Sequence, residues 1–134
     1  MKLITKTLLI LYLSLIPAQS EVNKLVVYTY DSFVAEWGPG PAIETKFEEF
    51  CECDLEFVGL SDGVEILTRV MYEGKNTNAD IVLGLDSNLI HKAKMTGLFD
   101  DHLLDLQSLN ISDRFTDNVF VPYDFGYFSF IYNS

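Results

Sequence analysis

Short apolar runs and helically spaced apolar residues alternate along this chain. Residues 25–30 (LVVYTY), 53–59 (CDLEFVG) and 79–85 (ADIVLGL) are rich in β-branched and aromatic side chains, a composition typical of strands. Residues 125–132 (FGYFSFIY) form a fourth run of the same kind near the end of the sequence. The pattern therefore predicts three buried strands, followed after a long interval by a fourth.

The segment between the first two runs predicts a loop and then a helix. Residues 31–40 contain Gly38-Pro39-Gly40, which favours a loop, and Pro41 suits the first position of a helix. Apolar residues then recur at helical spacing, at Ile43, Phe47 and Phe50.

Two further helices are predicted from capping residues. Asp62 is a capping signal for a helix that Gly74 ends, and an apolar stripe runs between them. Asp86 is expected to cap a third helix, which ends at Gly97. The polar residues 98–118 have no regular pattern and are predicted to be irregular.

The order strand-helix-strand-helix-strand predicts an α/β fold. Consecutive strands joined by helices form a mainly parallel sheet, and the helices cover both of its faces. In an open sheet of this kind, a ligand lies beyond the carboxyl ends of the strands. The expected site is therefore at that edge of the sheet.

The composition and net charge of the chain limit the kinds of ligand that it is expected to bind. The chain has 134 residues, of which 49% are hydrophobic and 22% charged, enough for one ordinary domain with a packed core. Its formal net charge of -11 argues against nucleic acid, whose phosphates require lysine and arginine. A neutral or cationic ligand is compatible with this charge.

Residues 1–20 have the features of a secretory signal peptide. A start containing lysine precedes an apolar segment at residues 7–17 (TLLILYLSLIP), which is too short to span a bilayer. The small residues Ala18 and Ser20 then fit the pattern of a cleavage site. We expect the mature chain to begin at Glu21 and to lie outside the cytoplasm.

The two cysteines, Cys51 and Cys53, are separated by one residue. Export permits a disulfide, but a bridge across one residue closes a very small ring, so a disulfide and a free thiol pair both stay open. Two thiols cannot complete a structural zinc site, which needs four ligands, and no metal site is expected.

Candidate binding residues follow the predicted strands. Tyr30 ends the first strand, and Trp37 lies in the loop after it, where it either anchors the loop or offers a ring face to a flat or cationic ligand. Asp62 and Gly63 open a helix, whose free N–H groups favour an anion such as phosphate, although a carboxylate there opposes one. Asp86 follows the third strand and has capping as its simpler role.

Enzyme motifs are absent from the sequence. It has no glycine-rich phosphate loop, no GxSxG and no HExxH motif. The carboxylates of Asp31 and Asp86 are a conceivable acid–base pair, but capping and loop-stabilising roles explain both. We therefore expect a binding protein with no catalytic residues.

Several segments resemble the periplasmic thiamine-binding proteins of ABC transporters. The chain has VYTYDSF at residues 27–33 and WGPGP at residues 37–41, which resemble the start of the mature proteins. The resemblance continues in order through CxC at 51–53, DGV at 62–64, EGKN at 73–76, ADIVLGLD at 79–86, TGLF at 96–99 and FVPYDFGYFSFIY at 120–132. Residues 100–117 are not part of it.

The resemblance implies a two-lobed periplasmic-binding-protein fold that encloses thiamine, thiamine monophosphate or thiamine diphosphate. It also implies a periplasmic location and delivery to an inner-membrane ABC permease and its ATPase, with no cofactor; we expect a monomer. It puts Tyr30 and Trp37 at the ligand and Asp62 and Gly63 near its phosphate end, with Asp86 as a further candidate. Residues 125–132 are then the crossover into the second lobe.

The sequence ends at Ser134, where the resembling proteins continue with a second lobe. We therefore expect residues 21–134 to be the N-terminal lobe of a truncated receptor, in preference to a deliberately short protein. Two alternatives stay open. One is an enzyme of thiamine or pyrimidine metabolism on a similar lobe, with Cys51 or Cys53 as nucleophile, and the other is a related iron- or polyamine-binding protein.

Overall fold

The computed structural model describes residues 23–109, 115–126 and 129–133. The predicted signal peptide, residues 1–20, lies outside these ranges. Within the described residues, no helix is both long enough and apolar enough to cross a membrane.

Within the described part of the chain, three parallel strands form one sheet in the order β2-β1-β3. The central strand is β1 (Lys24–Tyr30), with β2 (Asp54–Leu60) on one side and β3 (Ile81–Val82) on the other. The register places Tyr30 opposite Leu60, so β1 and β2 end at the same edge. The first two predicted strands are confirmed to within one residue at each end.

The third strand is much shorter than the predicted residues 79–85. The neighbouring backbone stays beside β1, because the Asp80 N–H donates to the Val26 carbonyl and the Leu83 N–H to the Tyr28 carbonyl, both at 2.9 Å. Gly84 then has a φ of +105°, which turns the chain out of the strand conformation.

Four α-helices lie in the described residues: α1 (Asp31–Val34), α2 (Gly40–Cys51), α3 (Gly63–Glu73) and α4 (Ile90–Met95). The loop predicted over residues 31–40 is wrong at its start, since α1 occupies its first four residues. The glycine and proline signals that favoured a loop act only at residues 38–40. Predictions for α2 and α3 are confirmed, with Gly74 following the end of α3.

The third predicted helix begins later than expected. The Asp86 carboxylate accepts hydrogen bonds from the N–H groups of Asn88 and Leu89, at 2.8 and 3.2 Å, and so stabilises a turn before α4. Gly97, with a φ of +64°, follows the helix as predicted. Short 3-10 turns at Gly74–Asn76 and Leu106–Ser108 complete the regular structure of the described residues.

The fourth predicted strand, residues 125–132, is wrong for its described residues. None of these residues is in a strand, and the side chains of Phe130 and Ile131 are almost fully exposed. β-prone side chains form a strand only where a neighbouring strand accepts their hydrogen bonds, and none of the described residues provides one here.

Alternate side chains of the strands pack against helices on opposite faces of the sheet. On one face, Tyr28 and Leu60 join Ile66 and Val70 of α3 in a buried cluster. On the other face, α1 and α2 pack against β2, and the ring of Phe57 contacts that of Phe33 with centroids 5.4 Å apart. The predicted α/β lobe, a parallel sheet with helices on both faces, is confirmed.

A disulfide joins Cys51 at the end of α2 to Cys53 just before β2. The sequence left a disulfide and a free thiol pair open, and the structure has the disulfide. Glu52 between them has a φ of +53°, and its N–H donates to the Glu48 carbonyl, which closes the helix. The bridge therefore lies at the junction of α2 and β2.

Candidate ligand site at the carboxyl edge of the sheet

The carboxyl ends of the strands bring Tyr30, Gly63 and Gly84 into contact. A β-carbon on Gly84 would lie 2.5 Å from the ring of Tyr30, and one on Gly63 would lie 2.7 Å from the carbonyl oxygen of Gly84. Both distances are shorter than any van der Waals contact, so the absence of a side chain at each position is what lets the segments approach. Tyr30 and Gly63, two predicted site residues, thus both lie against Gly84.

Tyr30 lies in a partly apolar environment. Its ring makes an edge-to-face contact with Phe33, with centroids 5.7 Å apart. Burial raises the pKa of the Tyr30 phenol, and the nearby charges of Asp124 and Tyr123 raise it further. The phenol is therefore neutral at physiological pH and able to donate a hydrogen bond.

Phe33 connects this edge to a distant part of the sequence. Its side chain is only 1% exposed, and its ring contacts that of Tyr123 with centroids 5.9 Å apart. Tyr123 is 54% exposed, so one side of its ring faces solvent. The edge therefore carries two tyrosines, Tyr30 and Tyr123, each in ring contact with the same buried phenylalanine.

Trp37 lies in the turn between α1 and α2 and is 79% exposed. Within the described residues it makes no ring contact with another aromatic side chain. The turn is instead held close by Gly38, where a β-carbon would lie 2.4 Å from the Ser32 carbonyl oxygen. The structure thus shows Trp37 as an exposed ring, not as an anchor buried in the core.

Asp62 caps α3 and is part of a reciprocal pair of hydrogen bonds. Its Oδ1 accepts from the Glu65 N–H at 2.9 Å, while Glu65 Oε2 accepts from the Ser61 N–H at 2.7 Å. The hydrogen bond from Ser61 lowers the pKa of Glu65. Two carboxylates therefore stand at this helix end, and their charge opposes a phosphate beside Gly63.

Asp86 is placed by the same kind of contact. Its carboxylate accepts the two backbone hydrogen bonds of the turn before α4, which is the capping role that the sequence offered as its simpler explanation. Asp86 contributes to the shape of the edge through this turn.

The segment over residues 115–126 is fastened to α4 through Asp117. The Asp117 carboxylate pairs with Lys94 and accepts from the N–H groups of Val119 and Phe120, at 2.9 and 3.0 Å. Burial raises the pKa of Asp117, but the bonds from Lys94 and from the two N–H groups outweigh it and lower the pKa to about 2. The side chain is ionised and holds the segment that carries Tyr123.

A concavity of about 440 Å³ lies beside α3 toward the amino end of the strands, away from this edge. Its charged residues are already paired, Lys24 with Glu56 and Arg69 with Glu73. Arg69 also lies over the ring of Tyr28, 4.6 Å from its centroid. With its cations and anions matched, this concavity is a poorer ligand site than the carboxyl edge.

Comparison with known proteins gives a consistent result. No family model matches the chain. It is 48% identical over 122 residues to a thiamine-binding periplasmic protein of Brucella abortus, covering 91% of this chain and 36% of the relative. It is 50% identical over 109 residues to the protein of that name from Escherichia coli, covering 81% and 33%. The chain is a homologue of the periplasmic thiamine-binding proteins.

The structural comparison agrees with the sequences. A solved structure described as a periplasmic thiamin binding protein matches with a TM-score of 0.73 at 47% identity, covering 82% of this chain and 35% of that one. The predicted resemblance to this family is confirmed. The chain spans about a third of the length of the curated relatives that it matches.

Sequence reasoning did not single out Tyr123 and Asp124, which the structure connects to Tyr30 through Phe33 and through the charge of Asp124. Both lie in the motif FVPYDFGYFSFIY, which carried part of the resemblance, but they precede residues 125–132, the predicted crossover. The available signal was the aromatic and acidic pair directly after Pro122. The roles of Tyr30, Trp37, Asp62, Gly63 and Asp86 in ligand binding stay predictions.

Proposed function

We propose that this protein is a periplasmic receptor that captures thiamine or its phosphates and delivers them to an inner-membrane ABC permease and its ATPase. The observation that carries the proposal is the 48% identity, over 91% of the chain, to a protein named for thiamine binding in the periplasm. A related structure of the same description supports the fold on which this function depends.

The chemistry of the carboxyl edge supports a flat, cationic ligand. Thiamine contains an aminopyrimidine ring and a positively charged thiazolium ring. Tyr30, Tyr123 and the exposed ring of Trp37 offer aromatic faces, which attract such a cation through their quadrupoles. The negative net charge of the chain also favours a cationic ligand.

The enzyme alternative is weakened by the disulfide. It required a cysteine nucleophile, and both cysteines are joined to each other. Their bridge also lies before β2, at the end of the sheet opposite Tyr30. The relatives are named as binding proteins, which favours capture without chemistry.

Equilibrium dialysis of the mature chain against radiolabelled thiamine tests the proposal. We expect saturable one-to-one binding, within a titration extended to millimolar ligand, that unlabelled thiamine displaces. Spermidine and ferric ion serve as controls for the two related receptor classes. Saturable binding of either control without binding of thiamine would contradict the proposal.

A further inference from the structure

We propose that Asp124 is the residue that makes the site select a cationic ring over a neutral one. The inference rests on the proposed function, because it concerns the ligand bound at the Tyr30 edge. Asp124 lies next to Tyr123, whose ring contacts Phe33, and Phe33 in turn contacts Tyr30. Asp124 therefore follows the tyrosine that these ring contacts connect to Tyr30, and its charge acts on the Tyr30 phenol.

Asp124 differs from Asp62, Asp86 and Asp117 in having no partner among the described residues. The carboxylates of Asp62, Asp86 and Asp117 each accept backbone N–H groups. The side chain of Asp124 makes no hydrogen bond or ion pair with any described residue. Its charge is therefore available to a ligand, whereas the other three are committed to the fold.

Asp31 is the nearest competitor at this edge. It follows Tyr30 directly, and its Oδ1 would lie 2.8 Å from a β-carbon on Gly59. That distance places its carboxylate against β2, on the side of α1 and away from Gly84, which lies under the Tyr30 ring. Asp124, which follows Tyr123, is thus a better candidate than Asp31 for a carboxylate at the ligand.

The residues that precede Asp124 are held by contacts with the rest of the fold. The Lys94 pair and two backbone N–H groups hold Asp117, and the ring of Phe120 packs on that of Phe99 with centroids 5.2 Å apart. Asp124 follows Tyr123 directly, so the Phe33–Tyr123 contact holds the backbone on its preceding side. A backbone that is already held loses less conformational freedom when a ligand binds.

The effect of Asp124 on Tyr30 supports this placement. The negative charge of Asp124 is the second cause, after burial, of the raised pKa of the Tyr30 phenol. The same charge that disfavours a phenolate at this place favours a ligand cation there. Thiazolium is such a cation, and its aromatic ring suits the neighbouring tyrosine faces.

The test compares thiamine with a neutral analogue in which a thiophene ring replaces the thiazolium. In Asp124→Asn, which keeps size and hydrogen-bonding capacity, we expect the affinity for thiamine to fall about tenfold. The affinity for the neutral analogue should change less than twofold. Glu49→Gln is the matched control: Glu49 is an exposed carboxylate near the end of α2, at the opposite end of the sheet.

Three results would overturn the inference. They are an equal loss of affinity for both ligands, no loss for thiamine, and a selective loss in Asp31→Asn instead of Asp124→Asn. Thermal unfolding of the variant, compared with wild type, identifies an equal loss that comes from misfolding.

A second measurement needs no ligand. The pKa of Tyr30, followed by NMR with ring-labelled tyrosine, should fall toward its usual value in Asp124→Asn and stay unchanged in Glu49→Gln. An unchanged Tyr30 pKa in Asp124→Asn overturns the inference. A wild-type chain that binds no thiamine contradicts the proposed function, and the Tyr30 titration then decides separately whether Asp124 lies at this edge.

Discussion

At the scale of single residues, the exposed tryptophan gives the most direct test of the ligand site. Trp37 is 79% exposed, so its removal takes little apolar surface out of the core. If it stacks on the ligand, Trp37→Ala should lower the affinity for thiamine by about 1–2 kcal/mol, or about tenfold, with a nearly unchanged melting temperature. Titration calorimetry and thermal unfolding of the same preparation measure both quantities.

The opposite result would assign Trp37 to the fold. A large fall in melting temperature with unchanged affinity means that the ring anchors the turn between α1 and α2. Phe50→Ala is a suitable control, because Phe50 is also exposed, at 85%, but lies at the far end of α2.

At the scale of elements, the start of α3 sets stability and ligand preference through the same side chain. Asp62→Ala removes a capping hydrogen bond and should cost about 1 kcal/mol of folding free energy. Asp62→Asn keeps an acceptor for the Glu65 N–H but removes one negative charge. We expect it to retain wild-type stability and to bind thiamine diphosphate more tightly relative to thiamine.

Urea unfolding and competitive titration with the two ligands check this prediction. The phosphate end should respond to the charge alone, so the affinity for unphosphorylated thiamine is the internal control. An unchanged ratio of the two affinities in Asp62→Asn would place the phosphate away from the start of α3.

The elements that the sequence predicted best are those with strong local signals. The β-prone run that forms β1 and the Asp62 cap of α3 act over a few residues, and the structure contains both. The brevity of β3 and the lack of a strand among the described residues of 125–132 depend on which neighbours supply hydrogen bonds, and a local pattern does not contain that information.

The residues of the candidate site also differ in whether a local sequence pattern could predict them. Tyr30 and Gly63 were predictable because parallel strands deliver their carboxyl ends to one edge. Asp124 was not, because its place depends on ring contacts with Phe33, far away in sequence, and on the Lys94–Asp117 pair.

At the scale of the whole molecule, the Lys94–Asp117 pair joins residues 115–126 to α4. It should therefore make the free energy of unfolding depend on pH. The pKa of Asp117 is about 2 in the folded protein, below its value in the unfolded chain. Its contribution, about 1–2 kcal/mol, is therefore fully present above about pH 4 and is lost as the pH falls toward 2. Asp117→Asn should lower stability at pH 7 by that amount.

Urea unfolding at pH 7 and at pH 2.5 measures this effect. The difference between wild type and Asp117→Asn should shrink at the lower pH, while Glu49→Gln should differ little from wild type at pH 7. A difference of the same size at both pH values would show that the ionised Asp117 carboxylate does not stabilise the fold.

The contact between Phe33 and Tyr123 also affects the order in which parts of the ligand site form during synthesis and folding. About ninety residues separate the two rings, so Tyr123 is synthesised long after Phe33, which its ring contacts. Contacts over such distances form late in folding, because a long loop must close first. A nascent chain that has been synthesised only as far as β3 contains Tyr30 but lacks Tyr123 and Asp124. In the receptor that we propose, the ligand site is therefore completed only after this late segment has been synthesised.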